Sequence, residues 1–126
     1  MTATENKDKV YINEYGLIEI IVHGDQTVES VNALADKTDD FVHKFHSEGK
    51  PALVLDNLML LGNAPSNVRK TVIKRIRNAH IDKFAFVGTD RMLRLGSNLV
   101  LRAIGKGNSV KYFDDYGTAV TWLQEK

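Results

Sequence analysis

Short apolar runs alternate along this chain with longer stretches in which apolar residues recur every three or four positions. The first pattern predicts strands and the second predicts helices. Val10-Tyr11-Ile12 begins a strand rich in β-formers. Glu14-Tyr15-Gly16-Leu17 is a tight-turn signal in which Gly16 can take a positive φ. Leu17 to Val22 forms a second strand, nearly continuous in apolar residues, as expected where both faces are covered. These two strands should pair as a hairpin. His23-Gly24-Asp25-Gln26 breaks the run, and a helix follows from about Thr27 to Ser47, with Asp25 or Thr27 as its N-cap. Val28, Val31, Leu34, Ala35, Thr38, Phe41, Val42 and Phe45 make one stripe at helical period. Gly49 and Pro51 end that helix.

The alternation continues. Ala52 to Asp56 reads as a short buried strand, followed by an unusually apolar loop from Asn57 to Ser66 that contains Leu58, Met59, Leu60 and Leu61. Pro65 or Ser66 opens a helix to about Ala79, whose buried face is Val68, Val72, Ile73 and Ile76. Phe84 to Gly88 is the next strand. Thr89 or Asp90 caps a third helix to about Ile104. Gly105 to Ser109 is a turn, Val110 to Phe113 a fifth strand, and Asp114 or Asp115 caps a last helix burying Ala119, Val120 and Leu123 beside Trp122. The order ββαβαβαβα predicts an α/β fold: a mixed, mostly parallel five-stranded sheet with four helices and an antiparallel edge. Residues 1–8 read as a disordered tail and 9–126 as one domain, with no repeat or linker.

Composition narrows the chemistry. At 126 residues, 43% hydrophobic and 26% charged, the chain has the make-up of a globular domain. Without cysteine it has no disulfide, thiolate zinc site or cysteine nucleophile. No apolar run is long enough to span a bilayer, and MTATENKDKV lacks the apolar core of a signal peptide. A soluble cytoplasmic protein is the expectation. Charge is segregated: the net is −6 over residues 1–65, +9 over 66–111 and −2 over 112–126. The basic segment can attract anions, or it can pair with the acidic first half.

The element order, with several local strings, resembles the SpoIIAA-like branch of the STAS superfamily. Gly24 followed by Thr27-Val28-Glu29 is similar to the family's pattern at the first helix. Ala52 to Asp56 looks like its central strand, Phe84 to Gly88 its penultimate strand, and Lys111 to Asp115 with Ala119 to Leu123 its last strand and helix. The resemblance runs from about Val10 to Leu123. It implies the STAS fold and a non-enzymatic regulatory or protein-interaction module in signalling. Asn63-Ala64-Pro65-Ser66-Asn67 stands where antagonist STAS domains carry an Asp-Ser-Ser-Gly-like string with a phosphorylated serine. Ser66 is therefore the candidate phosphoacceptor, at a helix start that suits a dianion. It also reads as a plain helix-start serine. SpoIIAA-like chains are similar in fold to CRAL-TRIO lipid-transfer domains too. The alternative function is thus a binder of a lipid or another small amphipathic or anionic ligand.

In open α/β sheets the default ligand crevice is the rim at the carboxyl ends of the strands. Here that rim should hold His23, Asp25, Asn57, Asn63, Thr89, Asp90 and Arg91, with helix N-termini able to hold an anion. The third helix carries more apolar residues than one stripe needs. Met92, Leu95 and Leu99, together with Leu58, Leu60 and Leu61, form a candidate interface or pocket. A homodimer face, a partner groove, a lipid-contacting site and a helix buried on two sides are the open readings.

No catalytic residue and no cofactor is expected. Gly105-Lys106-Gly107 lies in a helix-to-strand turn, the wrong context for cradling phosphate, and there is no Gly-x-Ser-x-Gly elbow. His43 and His46 lie at i, i+3 on a polar helix face, and no metal site is expected. Nucleic acid is a disfavoured partner, because aromatics do not interleave with the basic residues.

Overall fold

The computed structural model describes residues 7–88 and 91–125, and the side chains of all of these except 91–97. Five strands and four helices follow the expected order: β1 (Lys9–Ile12), β2 (Ile18–Gly24), α1 (Val28–Ser47), β3 (Leu53–Leu61), α2 (Ser66–Asn78), β4 (Lys83–Val87), α3 (Arg91–Ile104), β5 (Val110–Phe113) and α4 (Tyr116–Gln124). The sheet order is β1-β2-β3-β4-β5, with β1 antiparallel to β2 and every other pair parallel.

Sequential parallel strands joined by crossovers of one hand put their connecting helices on one face. That face holds Ile18, Ile20, Val22, Val54, Leu58, Phe84 and Phe86 of the sheet against Leu34 and Val42 of α1, Ile76 of α2 and Ile104 of α3. The chain leaves β5 toward the other face, where Ala119, Val120 and Leu123 of α4 pack on Leu17, Leu55, Ala85 and Val87. Neighbouring residues of a strand point to opposite faces. Continuous apolar strands are what a sheet covered on both sides requires.

Local chemistry sets the boundaries. The β1–β2 turn is closed by Asn13, whose Oδ1 accepts from the amides of Tyr15 at 2.9 Å and Leu17 at 3.0 Å, with Gly16 at φ 76°. Thr27, not Asp25, caps α1: its hydroxyl accepts from the Ser30 amide at 3.0 Å, while Ser30 Oγ accepts from the Thr27 amide at 2.9 Å. Asp115 caps α4 by accepting from the Thr118 amide at 2.8 Å. Asp8, expected in the tail, accepts from the His23 amide at 2.7 Å.

One expectation is corrected. Residues 57–61 are not a loop but the second half of β3. Beyond a bulge that sets Leu58 and Met59 of β3 opposite the single residue Val22 of β2, the strand regains its partner, pairing His23 with Leu60 and Gly24 with Leu61. The apolar run Leu58 to Leu61 is thus strand sequence, and its length reflects how far β2 extends. Gly62 ends it at a close backbone approach. Its amide donates to Gly24 O at 2.8 Å, and a Cβ there would stand 2.9 Å from the Asp25 amide nitrogen.

Candidate functional site

The parallel strands end on one rim. Gly62, Asn63 and Ala64 turn across the start of α1: the Gln26 amide donates to Asn63 O at 2.9 Å, and the Asn63 amide donates to Asp25 Oδ1 at 2.7 Å. Asp25 and Asn63 are brought together here, while His23 pairs with Leu60 in the sheet and leaves its side chain exposed. Between the N-termini of α1 and α2 lies an open groove of about 290 Å³, lined by Gln26, Thr27, Val28 and the acidic Glu29 on one side and Pro65, Asn67 and Val68 on the other.

Ser66 is exposed at the first position of α2. The N-cap there is Pro65, which makes no side-chain bond, and the first turn carries no acid. The amides at the start of α1 and α4 are met instead by Thr27 and Asp115. Among the rim helices whose caps are described, α2 is the one whose first turn still favours an added negative charge.

Asn57 does not join the rim. As a strand residue it turns to the α4 face, where its Nδ2 donates to Glu19 Oε2 at 3.3 Å and its Oδ1 accepts from the Met59 amide at 3.1 Å. Thr89 and Asp90, and the side chains of Arg91, Met92 and Leu95, lie outside the described residues.

The apolar candidates separate. Leu58 is core and Leu61 is half-buried against it. Met59, Leu60 and Leu99 are 51%, 57% and 68% exposed. The expectation that Leu58 belongs to an interface or pocket is therefore corrected: alternation along β3 turns it under α1 and α2. Met59 and Leu60 sit at the rim end of β3, beyond the last residue paired with β4, Asn57.

The basic segment is partly self-paired. Arg75 on α2 bonds Asp36 at 2.8 Å, Asp39 at 2.9 Å and Asn32 at 3.0 Å, all on α1. His46 contacts Asp82 at 2.8 Å rather than joining His43. Among the described residues, no group of three or more His, Asp or Glu side chains converges to hold a metal ion, and no helix is long and apolar enough to cross a membrane.

Two buried acids escaped the sequence reading as site residues. Glu19 is 2% exposed beneath α4. It accepts from Asn13 Nδ2 at 3.0 Å, from Asn57 and from the Tyr116 hydroxyl. Burial, the bond to Glu19 and its charge push the Tyr116 hydroxyl well above the ordinary tyrosine range. Asp56, 7% exposed, faces the other way, under α1 and α2. Burial pushes its carboxyl up to about 7. The available signal was an acid inside a run otherwise apolar enough for a buried strand. Which face each acid meets is a matter of strand parity in the assembled sheet.

No protein-family model and no curated protein sequence matches the chain. Among solved structures, it is similar to an uncharacterized protein of the DUF3478 family from Shewanella loihica PV-4, described as having a SpoIIAA-like fold. The TM-score is 0.69 at 13% identity, with 98% of each chain covered. With five strands, four helices and an antiparallel edge in the expected order, the chain has the SpoIIAA-like α/β fold.

Proposed function

We propose that this SpoIIAA-like chain is a non-enzymatic interaction module that meets a protein partner, including a second copy, at the rim end of β3. The exposed pair Met59 and Leu60 carries the reading. Large aliphatic side chains held in water on a hydrogen-bonded strand are a persistent cost that burial against a partner removes. The backbone bonds among Gly24, Gln26, Gly62 and Asn63 hold that end of the strand in place, so little ordering is needed on binding.

The test is a photo-crosslinking amino acid at position 60, with position 50 as an exposed control, in the full chain. A discrete crosslinked species, specific to position 60 and lost on Met59→Asp in a protein that still melts cooperatively, is the expected result. Crosslinking no greater than at position 50 would overturn the reading.

Ser66 supports a regulated variant of the same module. It is exposed, and the first turn of α2 carries no acid, its one side-chain acceptor being the neutral Asn67 Oδ1 on the Val68 amide. Ser66→Asp should leave the fold intact, stabilise α2 by about 0.5 kcal/mol and change crosslinking at position 60. Unchanged crosslinking would remove Ser66 as a switch.

A further inference from the structure

Asp56 projects from β3 on the same face as the core residues Val54 and Leu58. Its Oδ1 is buried and accepts no hydrogen bond from any described residue. It lines a cleft of about 60 Å³ whose other walls include Ile20, Ala35, Thr38, Val72 and Ile76. At roughly 30 Å³ of liquid per water, that is room for about two waters.

Within the cleft no described donor reaches Asp56 Oδ1. The Thr38 hydroxyl hydrogen is committed to Leu34 O at 2.8 Å, so its oxygen can only accept. Arg75, at the mouth, directs its guanidinium to Asn32, Asp36 and Asp39. The charged groups that line the cleft with Asp56 are then Asp39 on α1 and Arg75 on α2, and these two are paired with each other, so neither compensates Asp56. β2 and β4 contribute the apolar Ile20 and Phe84.

We infer that the cleft between α1 and α2 binds a small primary alkylammonium ion, with its N–H donors on Asp56 and Thr38 and its alkyl chain along the apolar seam. A buried acceptor left without a donor is unfavourable, and an uncompensated buried carboxylate more so. An ammonium supplies both the donors and the charge. An alcohol supplies one donor and no charge, and a small anion meets a carboxylate of its own sign. The apolar walls suit one to three carbons beyond the nitrogen and exclude bulky cations. The cleft shares no lining residue with Met59 or Leu60, so this inference and the rim reading stand or fall separately.

The test is NMR titration of the isotope-labelled full chain with n-propylammonium chloride at about pH 8. Saturable shifts at Thr38, Asp56 and Val72 are expected, with none of that kind from n-propanol or tetramethylammonium. Asp56→Asn should weaken the affinity at least about tenfold, as removal of the charge requires. Ala35→Leu, which fills the cleft and keeps the carboxylate, should do the same. Below about pH 7, where Asp56 takes up its proton, affinity should fall about tenfold per pH unit. Shifts that do not saturate, equal shifts from n-propanol, or affinity unchanged in Ala35→Leu would overturn the inference, even if Asp56→Asn fails to fold.

Discussion

Glu19 and Asp56 sit almost side by side in the sheet, since Asp56 pairs in register with Ile20. Both are buried, and among the described residues neither forms an ion pair. The one-residue offset puts them on opposite faces. Glu19 meets polar side chains brought by three other elements: Asn13 from the hairpin, Asn57 from β3 and Tyr116 from α4. Asp56 meets the apolar walls of the α1–α2 seam. The same functional group is a structural knot on one face and an unmet acceptor on the other. Burial alone therefore says little about the role of an acid; the donors that the fold assembles around it say much more.

The comparison is tested most severely by removing Glu19. Glu19→Ala would orphan the amides of Asn13 and Asn57 and the Tyr116 hydroxyl, at about 1–3 kcal/mol for each buried group left unmet. A loss of about 4–5 kcal/mol in urea denaturation is expected. A loss within the roughly 0.5 kcal/mol typical of surface sites would mean that the cluster is solvated.

Asp56 should show the opposite sign. Its carboxyl is near 7 in the fold, against about 4 in the unfolded chain. Between those values the folded state keeps a proton that the unfolded state has released. Stability should therefore fall as pH rises from about 4 to 7, by about 1.4 kcal/mol per unit, and be greatest below that window. Asp56→Asn should flatten this slope and match or exceed the parent's stability above pH 7, where replacing the charged group removes a buried carboxylate. Denaturation midpoints at several pH values for both proteins check it, and equal slopes would show that Asp56 is hydrated.

Tyr116→Phe removes one charged hydrogen bond from the Glu19 cluster and should cost about 1.5–2 kcal/mol. If it costs nothing, Asn13 and Asn57 suffice to satisfy Glu19. The smallest effect is expected from Arg75→Met. Its partners Asp36 and Asp39 are 72% and 51% exposed, so the clamp between α1 and α2 contributes less than about 1 kcal/mol. Burial rather than Arg75 sets the Asp56 carboxyl, so the pH slope should survive this change. A lost slope would instead make Arg75 part of the site.

Most of the architecture was legible in the residues. Period-two and period-3.6 patterns located all the strands and helices, and Gly16, Thr27, Gly49 and Asp115 marked real boundaries. The misreading at residues 57–61 has a plain cause. Whether Leu58 to Leu61 continues a strand depends on a partner about 35 residues earlier in the chain, past a bulge that local patterning does not announce. The rim was only partly legible for the same reason. Asp25 and Asn63 meet because hydrogen bonds tie two distant turns, whereas Asn57 leaves the group because one step along a strand reverses its face.

By itself, then, the sequence determined the element order, the mixed sheet with its hairpin edge, and the lack of cysteine chemistry, because these depend on local periodicity, turn residues and composition. The tertiary structure alone decided how far β3 runs, that Leu58 is core while Met59 and Leu60 reach solvent, and that Glu19 is met by three donors while Asp56 faces a cleft. Those outcomes depend on which surfaces meet across the sheet, and a side chain's partners come from segments that the linear order keeps far apart.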